Sequence, residues 1–289
     1  YAGPDNLVFC ASNHCHYFDQ GLQCKFCDMN HNTSFQKSMK REFYVRLSPE
    51  DFYDVSFEAM KEKGRWRQNF VTGGTDPREN LDRDVDFYSR IIKAIKDGAK
   101  DSADSDFPTN LLMHPLEKEQ YQRLKEAGLN GFGSYIEVFD KEKWELICPG
   151  KAKTIGYDNW LKRTLQAVEI FGRGNVSTGW VPGVEMAPPP YGFEDIDKAL
   201  NSTLGGYKFF IQNGITIAGS NWALVPGSEF FKMGATQPPL EFYIKLDLGR
   251  FRLYKEYGGF KEGVGAISCD SMGRRSQPWS CYPDYQKLL

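Results

Sequence analysis

Four of the chain's seven cysteines stand within residues 6–30, "NLVFCASNHCHYFDQGLQCKFCDMN", as Cys10, Cys15, Cys24 and Cys27. Thiols at this density serve disulfides, a structural zinc or an iron–sulfur cluster. The odd cysteine count, the bunching and the lack of a signal-peptide pattern favour metal ligation in a reducing compartment over a disulfide framework. A zinc staple would draw on Cys10 and Cys15 with Cys24-x2-Cys27, and His14, His16 or His31 could substitute. At 289 residues, however, the chain can bury a large core without a staple. A [4Fe–4S] cluster held by three thiolates would leave one iron open to a small molecule, as a catalytic metal keeps a vacant position.

The elements that must hold these thiols read as an alternation of strands and helices. "NLVFCA" is a strand, followed by a helix over "SPEDFYDVSFEAMKEKG" with Ser48 as N-cap, Pro49 in the first turn and Gly64 as stop. "QNFVTGG" is the second strand, and Leu81, Val85, Tyr88, Ile92 and Ile95 recur at helical spacing after it. "TNLLMHP", "SYIEVFD", "NVSTGWVPGVE" and "ITIAGSNWAL" read as further strands. Between and after them, "EKEQYQRLKEAG", "YDNWLKRTLQAVEIFG", "FEDIDKALNSTLGGYKFFIQNG" and "PLEFYIKLDLGRFRLYKEYG" read as helices. Trp160, Leu161, Leu165, Val168 and Phe171 mark one side of the second of these.

Six strand–helix pairs imply parallel strands with right-handed crossovers. The first strand ends in a cysteine loop rather than a glycine-rich phosphate turn, which favours a partial (β/α)6 TIM-like barrel over a doubly wound sheet. The barrel is expected over residues 1–257, with 258–289 as a C-terminal tail or lid. In such a barrel chemistry sits where strands end, so the cysteine loop lies at the mouth. Cys148, before Pro149, reads as turn architecture, and His31 and His114 as satisfied structural groups. Cys269 and Cys281, in the tail, lack Cys-x-x-Cys spacing and are expected to carry no iron.

Bulk properties exclude several partners. Net charge is −2 with acids and bases interspersed, so no nucleic-acid footprint is present. No apolar run of about 20 residues exists to span a membrane. Hydrophobic residues at 40% and charged residues at 26% describe an ordinary globular chain.

Cys24-Lys25-Phe26-Cys27 resembles the end of the radical S-adenosylmethionine (radical SAM) signature, Cys-x3-Cys-x-aromatic-Cys. The resemblance implies that Cys15, Cys24 and Cys27 hold a [4Fe–4S] cluster, that its open iron chelates the amino and carboxylate groups of SAM, and that Phe26 lies near the adenine. The first spacer is eight residues here instead of three, as in outlying branches. Cys10, inside the apolar strand, reads as a structural cysteine and is the rival for first place. "FVTGGTDP" is similar to the family's Gly-Gly-Glu motif with Thr75 in place of Glu, which puts Thr72, Gly73 and Gly74 against SAM's methionine moiety. Glu137 on the fourth strand matches a common polar contact to SAM or substrate. "GWVPGVE" partly matches the family's Gly-x-Ile-x-Gly-x-x-Glu strand, placing Val181 against adenine and Ser177 as a polar contact. "NWALVPG" would close over the adenine.

The resemblance spans about residues 6–230 and reaches no subfamily. It implies a cytoplasmic enzyme that cleaves SAM reductively, takes its electron from a donor such as a flavodoxin or ferredoxin, and abstracts hydrogen from a small organic substrate. Tyr17, Phe18, Trp180, Tyr191, Trp222 and Trp279 fall near expected strand ends or in the tail and suggest a planar substrate, from cofactor or natural-product biosynthesis. A second reading makes the product a transferred methyl or sulfur group, and a third makes the chain a zinc-stapled binding protein without catalysis.

Overall fold

The computed structural model describes residues 6–40, 44–66, 68–103 and 106–257. Six parallel strands form one sheet in the order β1-β2-β3-β4-β5-β6. They are β1 (Asn6–Ser12), β2 (Gln68–Gly73), β3 (Thr109–Leu112), β4 (Gly131–Glu137), β5 (Val176–Trp180) and β6 (Ile215–Gly219). A doubly wound sheet would reverse strand order at its centre. The unreversed order, with no pairing between β6 and β1, is that of an incomplete barrel. The expected tail and lid, with Cys269, Cys281 and Trp279, lie outside the described residues.

Among the described residues ten α-helices accompany the strands: α1 (Met29–Ser38), α2 (Pro49–Met60), α3 (Asp82–Ala103), α4 (Lys118–Glu126), α5 (Lys141–Ile147), α6 (Pro149–Thr154), α7 (Tyr157–Phe171), α8 (Ile196–Gln212), α9 (Glu229–Lys232) and α10 (Leu240–Tyr257). Sequence signals place several of these. Ser48 and Asp51 form a reciprocal capping box at the start of α2, with Pro49 at the first position. Leu81, Val85, Tyr88, Ile92 and Ile95 are all buried and press α3 onto the sheet.

In α7 the buried stripe is Tyr157, Trp160, Thr164, Ala167 and Phe171, so Leu161, Leu165 and Val168 sit at its margin. Thr164 can turn inward because its hydroxyl donates to the Trp160 carbonyl and meets the Ser134 hydroxyl at 2.8 Å.

Two strands end earlier than their apolar sequence suggests. β5 stops at Trp180, and Gly183, with φ of 102°, turns the chain into a short 3-10 segment ending at Met186. β6 stops at Gly219, and the chain crosses back so that the Trp222 N–H donates to the Pro182 carbonyl at 2.8 Å. β4 instead begins earlier than expected, at Gly131. Neighbours explain its glycines: a Cβ on Gly131 would stand 2.1 Å from Asn110 Oδ1, and one on Gly133 2.8 Å from Ser177 Oγ.

Candidate active site

All six strands run the same way, so their C-terminal ends share one rim, where the fold puts its chemistry. The cysteine loop leaves β1 there and crosses the end of β2. The His16 N–H donates to the Thr75 carbonyl at 3.0 Å, and the Gly74 N–H to the Ser12 carbonyl at 2.8 Å. A Cβ on Gly74 would lie 2.0 Å from the His14 carbonyl oxygen and 2.7 Å from the Cys15 nitrogen. One on Gly73 would lie 2.8 Å from the Ser12 nitrogen and 2.9 Å from the Tyr88 hydroxyl. Close loop packing thus gives both positions a structural reason to be glycine. Thr72, in β2, pairs in register with Cys10.

The loop is anchored again further on. The Gly150 N–H donates to the Leu22 carbonyl and the Lys25 N–H to the Ile147 carbonyl, each at 2.9 Å, which ties the loop to the α5–α6 corner. The Phe230 N–H donates to the Lys25 carbonyl at 3.0 Å and ties it to α9. Tyr17 turns inward under the loop. Its hydroxyl lies 3.1 Å from His114 Nε2, whose Nδ1 is 3.0 Å from Thr75 Oγ1. Burial drives the His114 pKa well below its usual value, so the ring is neutral and uses one nitrogen as donor and one as acceptor. Thr75, which stands where the family motif has Glu, therefore packs inward as part of a hydrogen-bonded chain.

Cys15, Cys24 and Cys27 are free, half-buried thiols close enough to feel one another's charge. Burial raises the pKa of Cys15 and pushes that of Cys27 up to about 12, so loading a metal here would release protons. Cys24 shifts the other way, because the buried Cys148 side chain hydrogen-bonds to it. Cys10 stays in β1, where its thiol donates to Asn13 Oδ1 at 3.1 Å. Phe26, between Cys24 and Cys27, packs against the core.

Ligand spacing bears on the metal. Four thiolates on one zinc would lie roughly 3.8 Å apart, from a Zn–S bond of about 2.3 Å in tetrahedral geometry. Among the described residues, the only three His, Cys, Asp or Glu side chains whose ligand atoms all lie within 4.8 Å of one another are His14, His16 and Asp19. A polynuclear cluster, whose ligand sulfurs lie further apart than those on one zinc, would draw on Cys15, Cys24 and Cys27. His14, His16 and Asp19 lie on the cysteine loop itself. The Cys15 N–H donates to Asn30 Oδ1 at 3.0 Å, so Asn30 Nδ2 faces His14 Nδ1 at 3.1 Å, and His14 Nε2 carries the hydrogen donated to Asp19 at 3.0 Å. A hydrogen on Nε2 leaves no lone pair there for a metal.

Across the rim, Glu137 ends β4 with φ of 70°, a strained left-handed conformation that turns its side chain into a buried position. Lys151 from α6 meets it at 2.6 Å and also donates to the Tyr135 carbonyl at 2.7 Å. Burial is the largest single influence and opposes the Lys151 charge, but the Glu137 carboxylate together with Cys24 and Cys148 outweighs it, and the pKa is raised. Glu137 Oε2 is buried without a partner among the described residues, an acceptor open to a ligand's donor. Ser177 is buried on β5, and Val181, just past β5, donates its N–H to the Glu137 carbonyl at 3.3 Å. The Glu of "GWVPGVE", Glu185, is buried and has both carboxylate oxygens engaged: it accepts from the Gly183 N–H at 2.7 Å and from the Thr203 hydroxyl at 2.5 Å. The structure thus adds Lys151 to the residues read from sequence, and gives Tyr17, His114 and Cys148, read there as an aromatic near a strand end, a structural histidine and a turn cysteine, their places around the loop. No motif marks Lys151, and its only signal is its position just after the Cys148–Pro149 turn.

The incomplete barrel of six parallel strands is a fold this chain shares with solved structures that include radical SAM enzymes. No family model matches the sequence. The chain is 22% identical over 227 residues to the bacteriochlorophyllide c C-7(1)-hydroxylase of Chlorobaculum limnaeum, covering 76% of this chain and 52% of that protein. In structure it is similar to the FeFe-hydrogenase maturase HydG of Carboxydothermus hydrogenoformans, with a TM-score of 0.60 and 19% identity, covering 91% of this chain and 55% of that one. It is also similar to coproporphyrinogen III oxidase (HemN) of Escherichia coli, a radical SAM enzyme, with a TM-score of 0.51 and 14% identity over 89% of this chain and 54% of that one. The chain spans about half the length of these relatives.

Proposed function

We propose that this chain is the catalytic barrel of a radical SAM enzyme that abstracts hydrogen from a small organic substrate. The observation that carries the reading is the convergence of Cys15, Cys24 and Cys27 on one anchored loop at the C-terminal rim of the barrel. When bound, cluster and SAM would supply reductive one-electron cleavage of the sulfonium and the radical chemistry needed for hydrogen abstraction.

The chain's own residues bind and orient. Cys15, Cys24 and Cys27 would hold the cluster as thiolates. The Thr72–Gly74 carbonyls and the open Glu137 Oε2 offer acceptors to SAM's ammonium, and Lys151 offers its carboxylate a counter-charge. Phe26 and Val181 supply apolar surface for the adenine, and Ser177 a polar contact. The buried aromatic lining around Tyr17 and Trp222 keeps water from the rim.

The hydroxylase relative acts on a bacteriochlorophyllide, which supports a planar substrate and a place in cofactor or natural-product biosynthesis. A flavodoxin or ferredoxin would supply the electron, in the cytoplasm. No helix among the described residues is long and apolar enough to cross a membrane.

Anaerobic reconstitution with iron and sulfide tests the reading. About four irons per chain and dithionite-dependent 5′-deoxyadenosine are expected. One zinc per chain and no SAM cleavage would support the zinc-stapled binding protein instead.

A further inference from the structure

Cys148 joins α5 to α6 and is fully buried, with its N–H donated to the Trp144 carbonyl at 2.8 Å and Pro149 fixing the turn after it. Two backbone hydrogen bonds bracket it against the cysteine loop: Lys25 N–H to Ile147 O, and Gly150 N–H to Leu22 O, each at 2.9 Å. Cys24 stands one residue in from the first bond and two from the second, and so does Cys148 on the opposing segment. Antiparallel pairing therefore sets the two cysteines opposite each other. Close fit keeps this register, because a Cβ on Gly150 would lie 2.5 Å from the Tyr17 ring and 2.6 Å from the Leu22 oxygen.

We infer that Cys148 is a positioning residue for the cluster-binding loop, its thiol donating a hydrogen bond to the Cys24 sulfur and so raising the reduction potential of the centre that Cys24 would hold. The inference rests on the cluster reading given above. A donor to a ligating sulfur stabilises the added electron, which is one of the protein's recognised controls over cluster potential. A thiol is a weak donor, suited to a small adjustment from within an apolar corner.

The test uses the full chain reconstituted with iron and sulfide, alongside Cys148→Ala and Cys148→Ser. Redox titration followed by electron paramagnetic resonance should give the Ala variant a more negative midpoint at unchanged iron content. The Ser variant, which keeps a donor, should return the midpoint toward the wild-type value. Equal midpoints in all three chains would overturn the inference, and so would iron loss in Cys148→Ala as complete as in Cys24→Ala, which would make Cys148 a ligand. A second measurement needs no cluster. In the iron-free chain, diamide should take two electrons and two protons from the pair, and peptide mapping should find a Cys24–Cys148 disulfide. A Cys24–Cys27 disulfide alone would contradict the contact. If the wild-type chain takes up no cluster but gives the Cys24–Cys148 disulfide, the cluster reading and the potential-setting role fall together while the contact stands.

Discussion

Replacing Lys151 with Met should destabilise the fold and remove SAM binding together. Lys151 and Glu137 side chains are 7% and 8% exposed and meet at 2.6 Å. Removing one member of such a pair leaves a buried uncompensated charge, which costs about 3–5 kcal/mol. For a chain of this size that corresponds to a Tm lower by roughly 6–20 °C, at about 2–4 °C per kcal/mol. Differential scanning calorimetry of the iron-free protein gives the shift without interference from the cofactor. The double variant Lys151→Met with Glu137→Leu removes both charges and should recover most of the loss, because well-packed apolar replacements of buried pairs are often neutral or better. Neither variant should bind SAM, since both lack the ammonium and the double variant also lacks the open carboxylate oxygen. A Tm change under about 2 °C in Lys151→Met would show that water already compensates Glu137 and would refute the buried-pair account.

Alanine at Cys15, Cys24 or Cys27 should abolish iron uptake, whereas Cys10→Ala should retain it; iron and sulfide analysis decides, and the reverse pattern for Cys10 and Cys15 would exchange their roles. Gly74→Ala should push the His14–Cys15 peptide out of place and weaken cluster loading with far-ultraviolet circular dichroism unchanged, because its Cβ would stand 2.0 Å from a carbonyl oxygen. Glu185 is buried and its pKa is raised to about 7. The folded state therefore holds a proton that the unfolded chain has released above about pH 4.3, so stability falls as pH rises from there toward 7. Glu185→Gln should flatten that fall in urea unfolding at pH 5 and 7.5, and an unaltered slope would place the proton elsewhere. Truncation after Gly258 should spare the cluster and uncoupled SAM cleavage but lose turnover of the true substrate, measured by 5′-deoxyadenosine release with and without substrate.

Elements with a strong internal period were legible in the sequence: the capped start of α2, the α3 stripe from Leu81 to Ile95, and all six strands. Elements whose form depends on a distant neighbour were not. The start of β4 carries two glycines that read as breakers until Asn110 and Ser177 are seen filling the space beside them. Helices α5 and α6 are short and meet at Cys148, so neither accumulates a period. The cysteine loop stood out because thiols at close spacing have few uses. Lys151 and His114 did not, because an isolated lysine or histidine has many, and only the fold brings Lys151 to Glu137 and His114 to Tyr17 and Thr75.

The eight-residue spacer between Cys15 and Cys24 bears on how freely such loops can be exchanged between relatives. Tyr17 from this spacer is buried against Gly150 and hydrogen-bonded to His114, which in turn holds Thr75. Grafting in a loop of the common three-residue spacing would keep every cysteine yet withdraw the tyrosine. It would leave a void beside Gly150 and a buried imidazole short of a partner. The side chains under the loop therefore form an inherited set with its length. Gly150, His114 and Tyr17 must be transplanted together, or the shortened loop must find other residues to fill the floor beneath it.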